Sequence, residues 1–255
     1  MFIVDLNQVL FSTFFASVRG HTNIAIEDAL IRYMALNTLR SINVKFRKKY
    51  GPMVIASDSI KNWRRDFFPQ YKASRRKSRS TSDLDWKTIF ECLDSIKSDL
   101  REYFPYKFIQ VETAEADDVI GVLVSNFSSE VPILIVSGDK DFRQLHFNGV
   151  KQYDPVQKKN ITELDPEAYL HEHICRGDVG DGVPNALSDD NCFVAGIRQK
   201  PMTKRALALF IDPQKIEDDK YKRNYFRNKT LIDLKETPKP TMKHIGPEAV
   251  HVFEP

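Results

Sequence analysis

Cysteine is scarce in this sequence of 255 residues, and its three cysteines lie far apart. Cys92, Cys175 and Cys192 form no CxxC pair. An odd number of scattered thiols argues against a disulfide framework and against a zinc site. The pattern favours a reducing compartment, so we expect a cytoplasmic protein.

Long apolar runs are also missing. No segment approaches the roughly 20 apolar residues that cross a bilayer. The N-terminal MFIVDLNQVL lacks the basic region of a signal peptide and has the pattern of a strand. The sequence therefore predicts no membrane partner.

Acidic residues are nearly absent from one stretch, which the small net charge of +3 conceals. Between residues 61 and 80, Asp66 is the only acid. The basic residues of this stretch are Lys61, Arg64, Arg65, Lys72, Arg75, Arg76, Lys77 and Arg79. A chain that separates its charges in this way usually separates two functions.

Short, continuously apolar segments alternate with helical patterns over the first 165 residues. The predicted strands are 1–6, 52–57, 106–111 and 131–137, and the predicted helices are 26–49, 83–103 and 114–128, with Asp83 and Thr113 as caps. A further helix is predicted from about Asp141, followed by a hairpin over 149–164. This alternation predicts an α/β fold with a central, mostly parallel sheet flanked by helices.

The pattern changes after about Pro166 to helices with Gly- and Asp-rich connections, such as RGDVGDGVPN. The segment TPKPT at 237–241 is typical of a linker, and the last fifteen residues show no clear element. We therefore predict a core over 1–165 that includes a basic segment at about 60–82, a helical region over 166–235, and a tail over 236–255.

Acids stand at the carboxyl ends of the predicted strands, where the crevice of a parallel sheet forms. Each one alone has an ordinary explanation as a helix cap, a turn residue or a partner of the helix dipole. The candidates are Asp5, Asp58, Glu115, Asp117, Asp118, Asp139, Asp141, Asp178 and Asp181. In a regular helix Glu115 and Asp118 share a face, while Asp117 lies well round from Glu115. All three therefore cannot bind one ion equally, and Asp118 ranks below the other two.

Convergence of several carboxylates requires cations, since two carboxylates about 4 Å apart repel by about 4 kcal/mol at a dielectric of 20. A set of oxygen ligands without His or Cys suits Mg²⁺, with Mn²⁺ as a substitute. Two such ions about 3.5–4 Å apart can stabilise both the attacking and the leaving oxygen of a phosphodiester. The acids therefore predict metal-dependent phosphoryl chemistry.

The basic stretch over 61–80, hereafter the basic arm, has two interpretations. It is either a solvated surface loop or a segment that binds phosphates. Lys72 with Arg76, and Arg75 with Arg79, are spaced i, i+4 and would form basic stripes on a helix. Aromatic residues such as Tyr71 offer stacking surfaces for unpaired bases, although packing at the base of the arm also explains them.

Six motifs in this order resemble the 5′-nuclease, or flap endonuclease, family: VDLNQVLFST, ASDS, YKASRRK, AEADD, SGDKD and GDVGDGVPN. The resemblance covers about residues 1–235, and YKRNYFRNKTLIDL is similar to the phage branch. It implies a nuclease core with a PIN-like fold, a helical arch, and a helix-hairpin-helix type region that binds duplex DNA. The chain departs from the family at ALSDDNCFVAGIRQKPMTKRAL, where a GIGxKTA turn is usual.

The resemblance also implies roles for individual residues. Asp5, Asp58, Glu115, Asp117 and Asp139 match a first metal cluster, and Asp141, Asp178 and Asp181 match a second. Lys72 and Arg75 match the catalytic basic positions of the arch. The implied contacts with nucleic acid are Arg64, Arg65, Tyr71, Arg76, Arg79, Lys200, Lys204 and Arg205.

The implied activity is that of a 5′→3′ exonuclease and flap endonuclease that removes RNA primers in phage-type replication. Its implied partners are DNA and RNA–DNA hybrids, with a single-strand-binding protein or a sliding clamp as further candidates, and we expect a monomer in the host cytoplasm. Two alternatives stay open. One is a catalytically inactive protein that binds nucleic-acid structures. The other is a phosphatase with Asp5 as its nucleophile, which Asn7 disfavours because an amide cannot act as the general acid.

Overall fold

Six strands form one sheet in the order β3-β2-β1-β4-β5-β6, and every neighbouring pair is parallel except β5 and β6. The computed structural model describes residues 1–18 and 28–250, without the side chains of 17, 18, 76, 77 and 246–250. The strands are β1 (Phe2–Asp5), β2 (Met53–Ala56), β3 (Lys107–Ile109), β4 (Leu134–Val136), β5 (Lys151–Asp154) and β6 (Lys159–Ile161).

The helices in the described residues surround this sheet or form a separate helical unit. They are α1 (Leu6–Val18), α2 (Asp28–Tyr50), α3 (Trp63–Phe67), α4 (Ala73–Ser80), α5 (Trp86–Tyr103), α6 (Ala116–Phe127), α7 (Pro166–Arg176), α8 (Lys204–Leu207), α9 (Asp219–Ile232) and α10 (Lys239–Val250). Short 3₁₀ turns occupy Lys140–Leu145, Ala208–Phe210, Pro213–Lys215 and Leu234–Glu236.

The three central strands are apolar along their whole length, because the sheet is covered on both faces. All residues of β1, β2 and β4 are buried, whereas the edge strand β6 is largely exposed. The register pairs Asp5 with Ala56 and Val4 with Val136, so the carboxyl ends of these strands meet at one edge of the sheet. The predicted α/β fold is confirmed.

The described residues divide into two compact units. The first contains the sheet and consists of 1–18, 28–61, 84–162 and the segment from Lys239 onward. The second consists of 62–83 and 163–238 and has its own apolar cluster, which includes Phe68, Tyr71, Phe210 and Tyr225. The basic arm therefore belongs, apart from Lys61, to the second unit, whereas the sequence analysis assigned it to the core. Phe68 and Tyr71 account for this, because they pack in the second unit's cluster.

Four local predictions were wrong. The cap of α5 is Asp85 rather than Asp83, and that of α6 is Glu115 rather than Thr113, which has a left-handed φ of 69°. The segment after Asp139 forms a 3₁₀ turn instead of a helix. Residues 239–250 form α10, which packs on α6, where a linker and tail were expected. Pro240 fits this helix because it stands in the first turn, where an N–H is not needed.

None of the helices in the described residues is both long enough and apolar enough to cross a membrane. The predicted start of α2 at 26–27 lies outside the described residues.

Candidate active site

Asp5 ends β1 and is buried at the carboxyl edge of the sheet, with only 7% of its surface exposed. Its Oδ1 accepts a hydrogen bond from the Gln8 backbone N–H at 3.2 Å, and its Oδ2 accepts one from the Ser137 hydroxyl at 3.0 Å. These donors fix the carboxylate where β1 and β4 end.

Burial, and after it the negative charges of Asp58 and Asp139, raise the pKa of Asp5 from 3.8 to about 7. The hydrogen bonds from Gln8 and Ser137 oppose the shift but do not offset it. Desolvation and like charge both disfavour an ionised carboxylate. The structure thus brings the three acids at the strand ends into one electrostatic group, as the strand pattern predicted.

Asp58 follows β2 and is held from three sides. Its Oδ1 accepts a hydrogen bond from the Ala116 backbone N–H at 2.7 Å, and its Oδ2 accepts one from the Asn7 side-chain amide. The Gln110 amide donates to the Asp58 backbone carbonyl at 2.6 Å. The first contact joins Asp58 to the N-terminus of α6, where Glu115 and Asp117 are located.

Glu115 is the N-cap of α6 and is 5% exposed, and Asp117 lies in the first turn. Asp118 is fully buried, and its Oδ2 accepts a hydrogen bond from the Glu115 backbone N–H at 2.9 Å. A carboxylate that caps a helix in this way has a structural role. The Glu115 side chain belongs to the same capping box, so the lower rank given to Asp118 stays a prediction.

Asp139 and Asp141 lie on the turn after β4. The Asp139 Oδ1 accepts a hydrogen bond from the Asp141 backbone N–H at 2.9 Å, so the first acid caps the 3₁₀ turn that carries the second. Gly138 precedes them, and a Cβ at this position would lie 2.8 Å from the Asp154 Oδ2. Only glycine permits so close an approach.

Two glutamines that the sequence analysis did not single out hold this turn. The Gln8 Oε1 accepts a hydrogen bond from the Gly138 N–H at 2.7 Å. Gln152 is fully buried in β5, and its amide donates to the carbonyls of Ser137 at 2.8 Å and Asp139 at 2.7 Å. The only signal for Gln152 was an uncharged polar residue between Lys151 and Tyr153 in the predicted hairpin.

In the second unit, Asp178 organises the GDVGDG loop. It is 5% exposed, and its Oδ1 accepts hydrogen bonds from the N–H groups of Gly180 at 2.7 Å and Asp181 at 3.2 Å. Its Oδ2 lies 3.3 Å from the Nε2 of His173 on α7. The sequence analysis missed His173, because nothing in the sequence relates it to this loop except its distance of five residues.

Asp181 is held by the basic arm. Its Oδ2 accepts a hydrogen bond from the Tyr71 hydroxyl at 2.7 Å and lies 3.5 Å from the Lys72 ammonium. Its Oδ1 accepts a hydrogen bond from Arg75 at 2.6 Å, and its backbone carbonyl accepts one from the Lys72 N–H at 2.7 Å. The two predicted catalytic cations and one predicted metal ligand thus meet within this unit.

The other predicted contacts of the arm differ in exposure. Arg65 is exposed, but Arg64 is 2% exposed and its Nε donates to the Leu231 carbonyl at 2.9 Å. Tyr71 is 3% exposed in the apolar cluster. In this conformation neither Arg64 nor Tyr71 presents its side chain to a nucleic acid, because packing of the arm's base buries both. Arg76 lies in α4, but its side chain is outside the described part of the structure.

Arg79 belongs to a group of arginines on the arm. Partial burial lowers its pKa, and the positive charges of Arg75 and Arg65 lower it further. Neighbouring guanidinium groups of this kind attract anions, since a phosphate relieves their mutual repulsion.

Lys200, Lys204 and Arg205 are exposed. Lys200 also lines a groove of about 1130 Å³, together with Arg176 and Arg198. Three cations along an open groove provide a surface suited to a phosphate backbone.

Comparison with known proteins places these features in a family. Residues 1–173 match the model of the N-terminal resolvase-like domain of 5′-3′ exonucleases. The chain belongs to the 5′-3′ exonuclease family. The prediction of the family from six motifs is therefore confirmed.

Three relatives of this exonuclease family member are named as nucleases. Ribonuclease H of Enterobacteria phage T4 is 35% identical over 252 residues, which cover 92% of this chain and 81% of the relative. A 5′-3′ exonuclease of Mycoplasmopsis pulmonis is 25% identical and covers 85% and 68% of the two chains. Flap endonuclease Xni of Shewanella sp. (strain ANA-3) is 31% identical over 48% of this chain and 47% of its own. The predicted enzyme class, a hydrolase of phosphodiesters, is confirmed, as is activity of the 5′-3′ exonuclease and flap endonuclease type.

Solved structures of more distant proteins share the fold. The T5 D15 protein co-crystallised with metal ions has a TM-score of 0.70 at 15% identity and covers 99% of both chains. The bacteriophage T5 D15 flap endonuclease in a pseudo-enzyme–product complex with DNA and metal ions has a TM-score of 0.73 at 17% identity, covering 100% and 99%.

The phage-like motif YKRNYFRNKTLIDL forms most of α9, which braces the segments on both sides of the GDVGDG loop. Asn224 and Asn228 are fully buried. The Asn228 amide donates to the carbonyls of Ile174 and Pro184, both at 2.8 Å, and the Asn224 amide donates to Ala186 and Ser188. The sequence analysis noted this motif only as a resemblance, and the structure shows the contacts that it makes.

Proposed function

We propose that this member of the 5′-3′ exonuclease family is a two-metal enzyme that removes RNA primers and adjacent DNA during phage-type replication. Its substrates are the 5′ ends and flaps of RNA–DNA or DNA duplexes. The observation that carries the proposal is the group formed by the buried Asp5 and the half-buried Asp58 and Asp139, in which burial and like charge raise the pKa of Asp5 to about 7. A divalent cation would relieve this repulsion.

The residues of the first unit fit a magnesium ion. Among the described residues, the buried Asn7 Oδ1 has no hydrogen-bond partner, although the same side chain donates to Asp58 through its amide. An unpaired buried oxygen on a side chain that contacts the Asp58 carboxylate is a suitable outer ligand for a hard cation, and a set of oxygens alone suits Mg²⁺, with Mn²⁺ as a substitute. Asp5, Asp58, Glu115, Asp117 and Asp139 would hold the first ion, and Asp141, Asp178 and Asp181 would hold the second.

When bound, such ions activate water and stabilise the leaving oxygen of the phosphodiester. The chain's own residues supply position and charge. Lys72 and Arg75 would bind the oxygens of the scissile phosphate, and Arg65, Arg76 and Arg79 would bind the single strand beyond it. Lys200, Lys204 and Arg205 would hold the duplex through its phosphates, so binding would weaken steeply with salt. The two related structures with metal ions, one also with DNA, support this assignment.

A duplex with a labelled 5′ flap or RNA primer tests the proposal. We expect cleavage with Mg²⁺ by the wild-type protein and none by the Asp139→Asn, Asp141→Asn double variant. Full cleavage by the double variant would contradict the two-metal mechanism. A single-strand-binding protein or a sliding clamp as partner, and a monomeric state, stay predictions that pull-down and sedimentation would check.

A further inference from the structure

Asp181 receives two kinds of donor from the basic arm. Tyr71 is neutral, 3% exposed and packed in the apolar cluster of the second unit, so its hydroxyl is a fixed donor to Oδ2. Lys72 and Arg75 are cations, and Arg75 is 48% exposed. One carboxylate therefore combines a permanent neutral hydrogen bond with two positive charges.

The arm is docked on this loop by its backbone as well. Lys72 has a left-handed φ of 56°, and its N–H donates to the Asp181 carbonyl at 2.7 Å. Gly182 has a φ of +71°, and a Cβ there would lie 3.1 Å from the Gln70 carbonyl oxygen. A lysine in this strained conformation persists only where surrounding contacts enforce it. The geometry around Asp181 is therefore a built arrangement rather than a chance contact of long side chains.

The two kinds of donor act on a cation in opposite directions. A neutral hydrogen bond orients a ligating carboxylate and leaves its charge available, and loss of such an outer contact commonly weakens metal binding. Lys72 and Arg75 instead occupy the same oxygens with positive charge, which repels a second cation.

We propose that Tyr71 is a positioning residue for Asp181 as a metal ligand, and that Lys72 and Arg75 compete with the divalent ion for this carboxylate. The inference rests on the proposed function, because it concerns the second metal cluster. By reciprocity, a divalent ion bound to Asp181 weakens the ion pairs of this carboxylate with Lys72 and Arg75. The two cations are then available to bind the scissile phosphate.

Residue-resolved NMR titration with Mg²⁺, without nucleic acid, tests the inference through the amide signals of Gly180 and Gly182 on the loop. Tyr71→Phe removes one hydroxyl and keeps the ring, and we expect Mg²⁺ binding to weaken by about 10–100-fold. The Lys72→Gln, Arg75→Gln double variant removes both competing charges, and we expect binding to strengthen by about fivefold or more.

Matched controls separate these effects from general damage. Tyr225→Phe removes the hydroxyl of another buried tyrosine of the same unit, and this hydroxyl lies 3.3 Å from the His171 Nδ1. Lys215→Gln removes an exposed cation paired with Asp212. Both controls should keep the wild-type affinity. In an Asp181→Asn background, Tyr71→Phe should have no further effect.

The outcomes distinguish this inference from the proposed function. A wild-type protein that binds Mg²⁺ at these amides and cleaves flaps, combined with an unchanged affinity of Tyr71→Phe, would overturn the inference alone. Weaker binding by the Lys72→Gln, Arg75→Gln variant would overturn the competition. Absence of any response to Mg²⁺ in the wild-type protein would overturn both proposals.

Discussion

Asp5 in the first unit and Asp181 in the second are both predicted metal ligands, yet their neighbours carry opposite charge. Asp5 is buried beside Asp58 and Asp139, which raise its pKa together with desolvation. Asp181 is bound by Lys72 and Arg75, which neutralise it. The acids of the first unit therefore repel one another, whereas Asp181 in the second unit forms ion pairs with Lys72 and Arg75.

The difference predicts two ways of gaining a metal ion. In the first unit a cation relieves repulsion and displaces a proton, so binding should depend strongly on pH. In the second unit a cation must displace the lysine and arginine, so binding should depend on those side chains. The following predictions test this contrast, from the largest expected effect to the smallest.

Asp5→Asn should have the largest effect. Loss of a contact to a metal ligand costs about 10–100-fold, and we expect loss of the ligand itself to lower the cleavage rate by at least about 100-fold. The same change should raise the stability of the metal-free protein at pH 8, because it removes a buried charge beside two others. Flap cleavage and thermal unfolding check the two expectations.

Asp85→Asn is the control for this variant, since Asp85 caps α5 in the same unit and is not one of the predicted site residues. It should leave cleavage unchanged. An Asp5→Asn protein that is both less active and less stable than the wild type at pH 8 would contradict the claim that repulsion among Asp5, Asp58 and Asp139 destabilises the metal-free protein.

The pH dependence of stability should follow from Asp5. Its folded-state pKa of about 7 lies above the ordinary 3.8, so the folded protein binds the proton more tightly than the unfolded chain. Its contribution to stability is therefore complete below about pH 4 and is lost, on the order of a few kcal/mol, as the pH rises to about 7. Thermal unfolding of the metal-free protein from pH 5 to 8, compared with Asp5→Asn, checks this.

Addition of Mg²⁺ should restore stability most at the alkaline end of that range, because the proton on Asp5 no longer competes. If the unfolding temperatures of the wild type and Asp5→Asn changed with pH in the same way, the pH dependence of stability would not come from Asp5.

The acids at the strand ends could be predicted from the sequence, whereas the residues that hold them could not. Asp5, Asp58 and Asp139 each follow a short, fully apolar run, and the ends of parallel strands meet at one edge. Gln8 accepts a hydrogen bond from the Gly138 N–H, and Gln152 donates to the Ser137 and Asp139 carbonyls. These backbone groups come near the two glutamines only after the chain folds. Arg64 lies in a basic stretch but is buried. Its burial could not be predicted from the sequence, because its hydrogen-bond partner, the Leu231 carbonyl, is 167 residues away.

Gln152→Leu should have a smaller effect than loss of Asp5, since it acts on the turn rather than on a ligand. The change removes the amide that donates to the Ser137 and Asp139 carbonyls and introduces an apolar side chain of similar size. We expect about 10–100-fold weaker metal binding by calorimetry. Gln157→Leu, at an exposed position between β5 and β6, is the control. Unchanged metal affinity with lowered stability would show that Gln152 supports only the fold.

Arg223→Gln should have the smallest effect on stability, because exposed ion pairs between arginine and aspartate are weak. Arg223 is 61% exposed and contacts the Asp190 Oδ1 at 2.9 Å, while Arg227, which is 7% exposed, contacts the same oxygen. We expect a loss of about 0.2–1 kcal/mol in the free energy of unfolding, reduced further in high salt. Denaturant titration at two salt concentrations measures it.

Arg75 resembles Arg223 in exposure, whereas Lys72 is only 11% exposed at the same carboxylate. If Arg223→Gln costs little, the Arg75 contact with Asp181 is also weak, and Arg75 should leave before Lys72 when a divalent ion or a phosphate arrives. A cost of several kcal/mol that is insensitive to salt would contradict this order, because the exposed pairs of the second unit would then hold their acids as firmly as the buried ones.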